Sequence, residues 1–174
     1  MTVGTLENIR EFLRQRRWAL VGVSRRRLDF SRWLLGELRR RGYEVVPVNP
    51  HVAQMDGMAC YPQVSAIQPP PDVALVLTHR RQAAAIARDC AAAGVRRVWF
   101  YAAVGRGAVS SEALALCRQA DLQVVAGYCP VMFLPAAPWP HRTHAALLRL
   151  LGRYPANGPA QDGPPLKPGE PPCR

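Results

Sequence analysis

The stretch WALVGVSRRRLDF, residues 18–30, decides how this chain folds. Its first half, WALVGV over 18–23, is a short apolar run with β-branched valines. A strand covered on both faces reads this way, because neither face has to meet water. The second half passes through Gly22, Ser24 and three arginines to Asp29, whose carboxylate suits a helix N-cap. Beyond it Phe30, Trp33, Leu34 and Leu38 recur at helical spacing, and Gly42 ends the helix.

The same alternation continues in both directions. Upstream, residues 5–17 read as an amphipathic helix with Leu6, Ile9 and Leu13 on one face and Phe12 beside them. Downstream, YEVVPV (43–48) is a second strand, closed by the turn signal Asn49-Pro50. DVALVLT (72–78), VRRVWFYAA (95–103) and LQVVAG (122–127) supply three more strands. Between them lie a helix carrying Ala83, Ile86, Ala87, Cys90 and Ala91, ended by Gly94, and another capped by Ser110 and carrying Ala113, Leu114 and Cys117. A last helix is expected over Arg142–Leu151. Residues 51–71 are irregular, with a short helix near Val64–Ile67. Strands alternating with helices imply an α/β fold with a doubly wound sheet of about five parallel strands. One domain is expected over residues 1–152. The Pro/Gly-rich remainder, 153–174, reads as a disordered tail, because such a composition cannot bury apolar area.

Composition narrows the function classes. The chain has 174 residues, 49% of them hydrophobic, enough for one core without disulfides. No apolar run reaches the ~18 residues of a membrane span, and the N-terminus lacks the apolar segment of a secretory signal. The cysteines are Cys60, Cys90, Cys117, Cys129 and Cys173, an odd number without a CxxC pair. This disfavours a disulfide framework or zinc site and points to a reducing cytoplasm. The net charge of +11 is almost all arginine. A basic surface suits nucleic acid, a membrane or a polyanionic ligand, but an arginine-rich composition also accounts for most of it.

In an open α/β sheet the ligand lies outside the carboxyl ends of the strands. That selects the loops Gly22–Asp29, Asn49–Met55, Thr78–Arg81, Ala102–Ala108 and Tyr128–Met132. The first has the makings of a phosphate-binding loop. Gly22 permits close backbone approach, Ser24 carries a hydroxyl, the helix start offers N–H groups, and Arg25, Arg26 and Arg27 offer bidentate contacts. It is not GxGxxG, and the second strand ends in Asn49 instead of the acid that holds an NAD ribose. An ordinary NAD dehydrogenase is disfavoured, whereas the arginines leave NADP open. The Walker pattern GxxxxGK[ST] is absent.

Taken together, WALVGVS, RRGYEVVPVNP, PDVALVLTHR, VRRVWFY and the Cys129-Pro130 pair resemble the small CoA-binding domain proteins over roughly residues 6–135. The most specific element is Gly22-Val23-Ser24 combined with Val48-Asn49-Pro50. These proteins have a Rossmann-like fold similar to the CoA-binding domain of the succinyl-CoA synthetase α subunit. The resemblance implies coenzyme A, or an acyl-CoA, lying across the strand ends. Gly22 and Ser24 would meet the phosphates. Val48, Asn49 and Pro50 would border the adenosine, and Thr78 and Ala102–Gly105 would line the opposite wall. The arginine run, His79-Arg80-Arg81 and the proline-rich tail depart from the family pattern.

No complete catalytic constellation is visible. Cys129 is either a thiol placed near the CoA sulfur or a small residue packing a strand end. His79 is either a phosphate contact or part of a helix start. His141 and His144, three apart, have no further metal ligands nearby. The expectation is a CoA-binding module without catalysis of its own, with a homodimer or protein partner left open. An NAD(P)-linked oxidoreductase and a basic nucleic-acid-binding protein are the alternatives. No helix-turn-helix or zinc pattern supports the latter.

Overall fold

The computed structural model describes residues 3–102 and 107–157. Five parallel strands form the main sheet: β1 (Arg17–Val21), β2 (Glu44–Val48), β5 (Val73–Val76), β6 (Arg97–Tyr101) and β7 (Gln123–Tyr128). Their order is β2-β1-β5-β6-β7. The helices are α1 (Leu6–Arg14), α2 (Phe30–Arg40), α3 (Arg80–Ala92), α4 (Ser111–Gln119) and α5 (Trp139–Leu150). This is a Rossmann-like doubly wound fold. The chain runs from β1 outward to β2, then returns to the other side of β1 for β5, so the topological switch point lies between β1 and β5.

Both sheet faces are covered, as the apolar strands require. Trp18 and Leu20 of β1 and Val73 and Leu75 of β5 face a core shared with α1, α2 and Ala145 of α5. Their neighbours Ala19, Val21, Ala74 and Val76 face a second core built on α3 and α4. The first core is aromatic: Trp18, Trp99 and Phe12 are buried, with Phe12 edge-on to Trp99 at 6.0 Å. The second is packed with alanine and cysteine, which lets α3 and α4 approach each other and the sheet closely.

Several local readings change. Residues 54–59 form a β-hairpin, β3 (Gln54–Met55) with β4 (Met58–Ala59), inside the segment read as irregular. Its turn is Asp56-Gly57, both with positive φ (50° and 74°), the geometry of a two-residue hairpin loop. The expected short helix is a 3₁₀ turn at Val64–Ala66. Helix α1 stops at Arg14, because Arg17 already pairs with Glu44 in the sheet. Helix α5 begins three residues earlier than expected, with Pro140 in its first turn. Past residue 152, Tyr154 packs on Phe133, Pro155 is buried and the Ala156 carbonyl accepts the Leu6 N–H at 3.1 Å. This part of the expected tail is held against the body, and residues 158–174 lie outside the described chain.

Candidate functional site

At the switch point β1 ends in Gly22, which has φ +91°. A Cβ there would sit 2.5 Å from the Thr78 methyl and 3.2 Å from the Thr78 backbone nitrogen. Only glycine lets the two strand ends come this close. The same residue donates its N–H to the Val48 carbonyl at 2.9 Å, and Leu77 donates to Val21 at 2.9 Å. Gly22, Val48 and Thr78, three of the expected site residues, are thus brought together at one sheet edge. The Thr78 hydroxyl is buried there and has no hydrogen-bond partner among the described residues.

The first loop is more closed than its sequence suggests. The Ser24 N–H donates to the Ser31 hydroxyl at 2.8 Å, and the Arg26 N–H donates to the Ser24 hydroxyl at 3.1 Å. Asp29 caps α2, accepting the Ser31 N–H at 2.8 Å and its hydroxyl at 2.6 Å. These two Ser31 bonds hold the Asp29 carboxyl below its ordinary range, and the nearby Arg26 charge adds to the effect. The loop N–H groups named here therefore have partners in the loop itself or in the first turn of α2. Arg25, Arg26 and Arg27 extend into solvent, and Val23 is buried behind them.

Asn49 acts as a brace. Its amide donates to the Val23 carbonyl at 2.7 Å, and its side-chain oxygen accepts the His51 N–H at 2.8 Å. Pro50, next to it, is exposed. His79 caps α3, its Nδ1 accepting the Arg81 N–H at 3.3 Å, which accounts for a polar residue at that position. Ala102 is buried, and Gly105 lies outside the described residues. Cys129 and Pro130 are both buried. Burial pushes the Cys129 thiol up to about 11, so it packs the end of β7 and is no exposed nucleophile.

Sequence reasoning missed two groups. Arg32 pairs with Asp56 and reaches the Ser24 carbonyl, tying the first loop to the β3–β4 hairpin. The Asp-Gly turn was the available signal for that hairpin. Phe30 and Trp33, grouped by their spacing with Leu34 and Leu38, lie at the surface, and the inward face of α2 is Leu34, Leu35 and Leu38. Trp33 stacks on His141 with ring centroids 5.5 Å apart and planes 9° apart. Among the described residues no cluster of acids, cysteines and histidines could hold a metal, and no helix is long and apolar enough to cross a membrane.

Fold and site define a doubly wound α/β protein whose switch point joins Gly22 closely to Thr78. The chain belongs to the CoA-binding domain family, whose model matches residues 16–135. It is similar to the uncharacterized protein YneT of Bacillus subtilis (strain 168), with 26% identity over 122 residues covering 70% of this chain and 87% of that protein. A hypothetical protein from Pyrococcus horikoshii OT3 is 30% identical with a TM-score of 0.66, covering 71% of this chain and 85% of that one. The apo dinucleotide forming acetyl-coenzyme A synthetase 1 of Ca. Korarchaeum cryptofilum is 25% identical with a TM-score of 0.56. That match covers 66% of this chain and 26% of the synthetase.

Proposed function

We propose that this protein binds coenzyme A or an acyl-CoA across the carboxyl ends of β1, β2 and β5, as a binding or regulatory module of the cytoplasm without catalysis of its own. The observation that carries this reading is the junction of Gly22 with Thr78. Glycine at position 22 lets the end of β1 close onto Thr78, and the buried Thr78 hydroxyl lacking a partner is a group a ligand at the strand ends would satisfy. Membership of the CoA-binding domain family supports the choice of nucleotide. The exposed arginines of the first loop supply charge for the pyrophosphate and the 3′-phosphate.

A calorimetric titration with CoA, dephospho-CoA, NADPH and NAD at moderate salt tests it. CoA should bind tightest, and loss of the 3′-phosphate should weaken it. Thr78→Val, which keeps the shape and deletes the hydroxyl, should weaken CoA by on the order of tenfold. Preference for NADPH, or no binding of any nucleotide, overturns the reading.

A further inference from the structure

Near the carboxyl ends of the strands, large apolar side chains stand in water. Leu28, at the tip of the first loop, is 102% exposed, Phe30 36% and Trp33 41%. The rings are ordered into a ladder. Phe30 stacks on Tyr101 with centroids 5.2 Å apart and planes 29° apart. It lies 5.6 Å from Trp33, and Trp33 is parallel to His141 within 9°. The ladder starts at the end of β6, the sheet edge that also carries Gly22 and Thr78, and continues along α2 to the start of α5. Phe30 follows β1 and Tyr101 ends β6, so their contact spans the position of β5, whose chain leads into Thr78.

The first loop changes character along its length. Arg25, Arg26 and Arg27 are basic and exposed, and Leu28 and Phe30, on either side of the capping Asp29, are apolar and exposed. A site with charge at one end and aromatic faces at the other matches an amphiphile with the same two ends. We propose that the ligand of this site is a coenzyme A thioester with a bulky apolar acyl group, an aryl-acyl group above all, laid on the Phe30–Trp33–Tyr101 ledge. This rests on the coenzyme A reading given above. Free coenzyme A ends in a small thiol and would leave the ledge wet. An aryl-acyl group covers it with a ring that stacks as Phe30 and Tyr101 already do. The start of the ledge at Tyr101, on the strand next to the one that leads into Thr78, favours this occupant over a second copy of the chain.

The test compares calorimetric affinities for CoA, acetyl-CoA and phenylacetyl-CoA in the full chain and in two single variants, Phe30→Ala and Trp33→Ala. The quantity read is the ratio of phenylacetyl-CoA to CoA affinity, which a general loss of folded protein does not change. In the parent protein it should favour phenylacetyl-CoA by on the order of tenfold. Acetyl-CoA should bind about as CoA does. In both variants the ratio should fall to about one. A parent ratio near one overturns the inference and leaves the coenzyme A reading intact, as expected if a second copy covers the ladder. A preference that survives both substitutions also overturns it, because the acyl group then lies elsewhere. Failure of all three nucleotides to bind removes the coenzyme A reading itself, and this inference with it.

Discussion

Replacing Gly22 with alanine tests the closest approach in the site. The residue has φ +91°, a region that costs an L-residue roughly 1–2 kcal/mol. The new methyl would lie 2.5 Å from the Thr78 methyl and 3.2 Å from the Thr78 nitrogen, and overpacking of this kind costs about 1–3 kcal/mol. Against this, alanine restricts the unfolded chain and returns roughly 0.4–1 kcal/mol. The net loss is about 2–4 kcal/mol. Urea unfolding followed by tryptophan fluorescence reads it well, because Trp18 and Trp99 are buried in the first core. With a slope of about 2 kcal/mol per molar urea, the midpoint should fall by ~1–2 M. Thr78→Ser removes the clashing methyl and leaves the backbone nitrogen in place. In Gly22→Ala/Thr78→Ser the packing part should therefore return, giving a coupling of roughly 1–2 kcal/mol, and the backbone strain should remain. A midpoint shift below ~0.3 M in Gly22→Ala, or additive effects in the double variant, would refute the close approach of β1 and β5.

Three further outcomes are expected. Burial pushes the Glu37 carboxyl up, and hydrogen bonds from Arg40 and Arg41 outweigh it, leaving the group below the ordinary 4.5. Its contribution to stability is present above that value and lost as pH falls through the lower folded one. Glu37→Gln should cost about 1–3 kcal/mol at pH 7 and flatten the acid limb of a melting-temperature profile, and an unchanged acid limb would contradict this. Cys60, Cys90, Cys117 and Cys129 are buried, with Cys129 pushed up to about 11 by that burial. In a Cys173→Ser background the native protein should resist thiol reagents at pH 8 and label fully in denaturant, and rapid native labelling at Cys129 would be the contrary result. Asn49→Ala deletes the bond to the Val23 carbonyl and the support of His51, and should cost about 1–2 kcal/mol. Hydrogen exchange should rise in residues 22–29, and unchanged protection there would show that Asn49 is not the brace.

The sheet was legible because its strands are apolar on both faces and each helix has its own stop or cap. Asp29 and Ser110 cap the helices their positions suggested, and Gly42 and Gly94 follow helix ends with positive φ. The β3–β4 hairpin was lost because two-residue strands carry no periodicity, and only the Asp56-Gly57 pair marked the turn. Phe30 and Trp33 were grouped with the inward leucines for a different reason. Spacing assigns residues to one side of a helix and says nothing about how far the sheet extends beneath it. The inward face of α2 is carried by Ser31, Leu34, Leu35 and Leu38, and Phe30 and Trp33 lie outside it.

The meeting of the strand ends was legible in the sequence, and the contacts within the candidate site were less so. The carboxyl-edge rule placed Gly22 and Thr78 at one edge without any contact being known, because strand direction alone fixes which loops share that edge, and Val48 came from the family resemblance. Hydrogen bonds across 26 residues, such as Asn49 to Val23, are set by tertiary packing and leave no local pattern. The same holds for the first loop, whose Gly-Ser-Arg sequence reads as an open anion cradle. Asp29 and Ser31 occupy part of that cradle from within, and the Ser31 bonds keep the Asp29 carboxyl ionised. A ligand phosphate approaching the start of α2 meets a fixed negative charge as well as the helix dipole. On the coenzyme A reading proposed above, the exposed guanidinium groups of Arg25, Arg26 and Arg27 would turn the balance toward an anion. That reading would give the arginine run a physical reason: it would offset an N-cap that the fold needs and a phosphate does not.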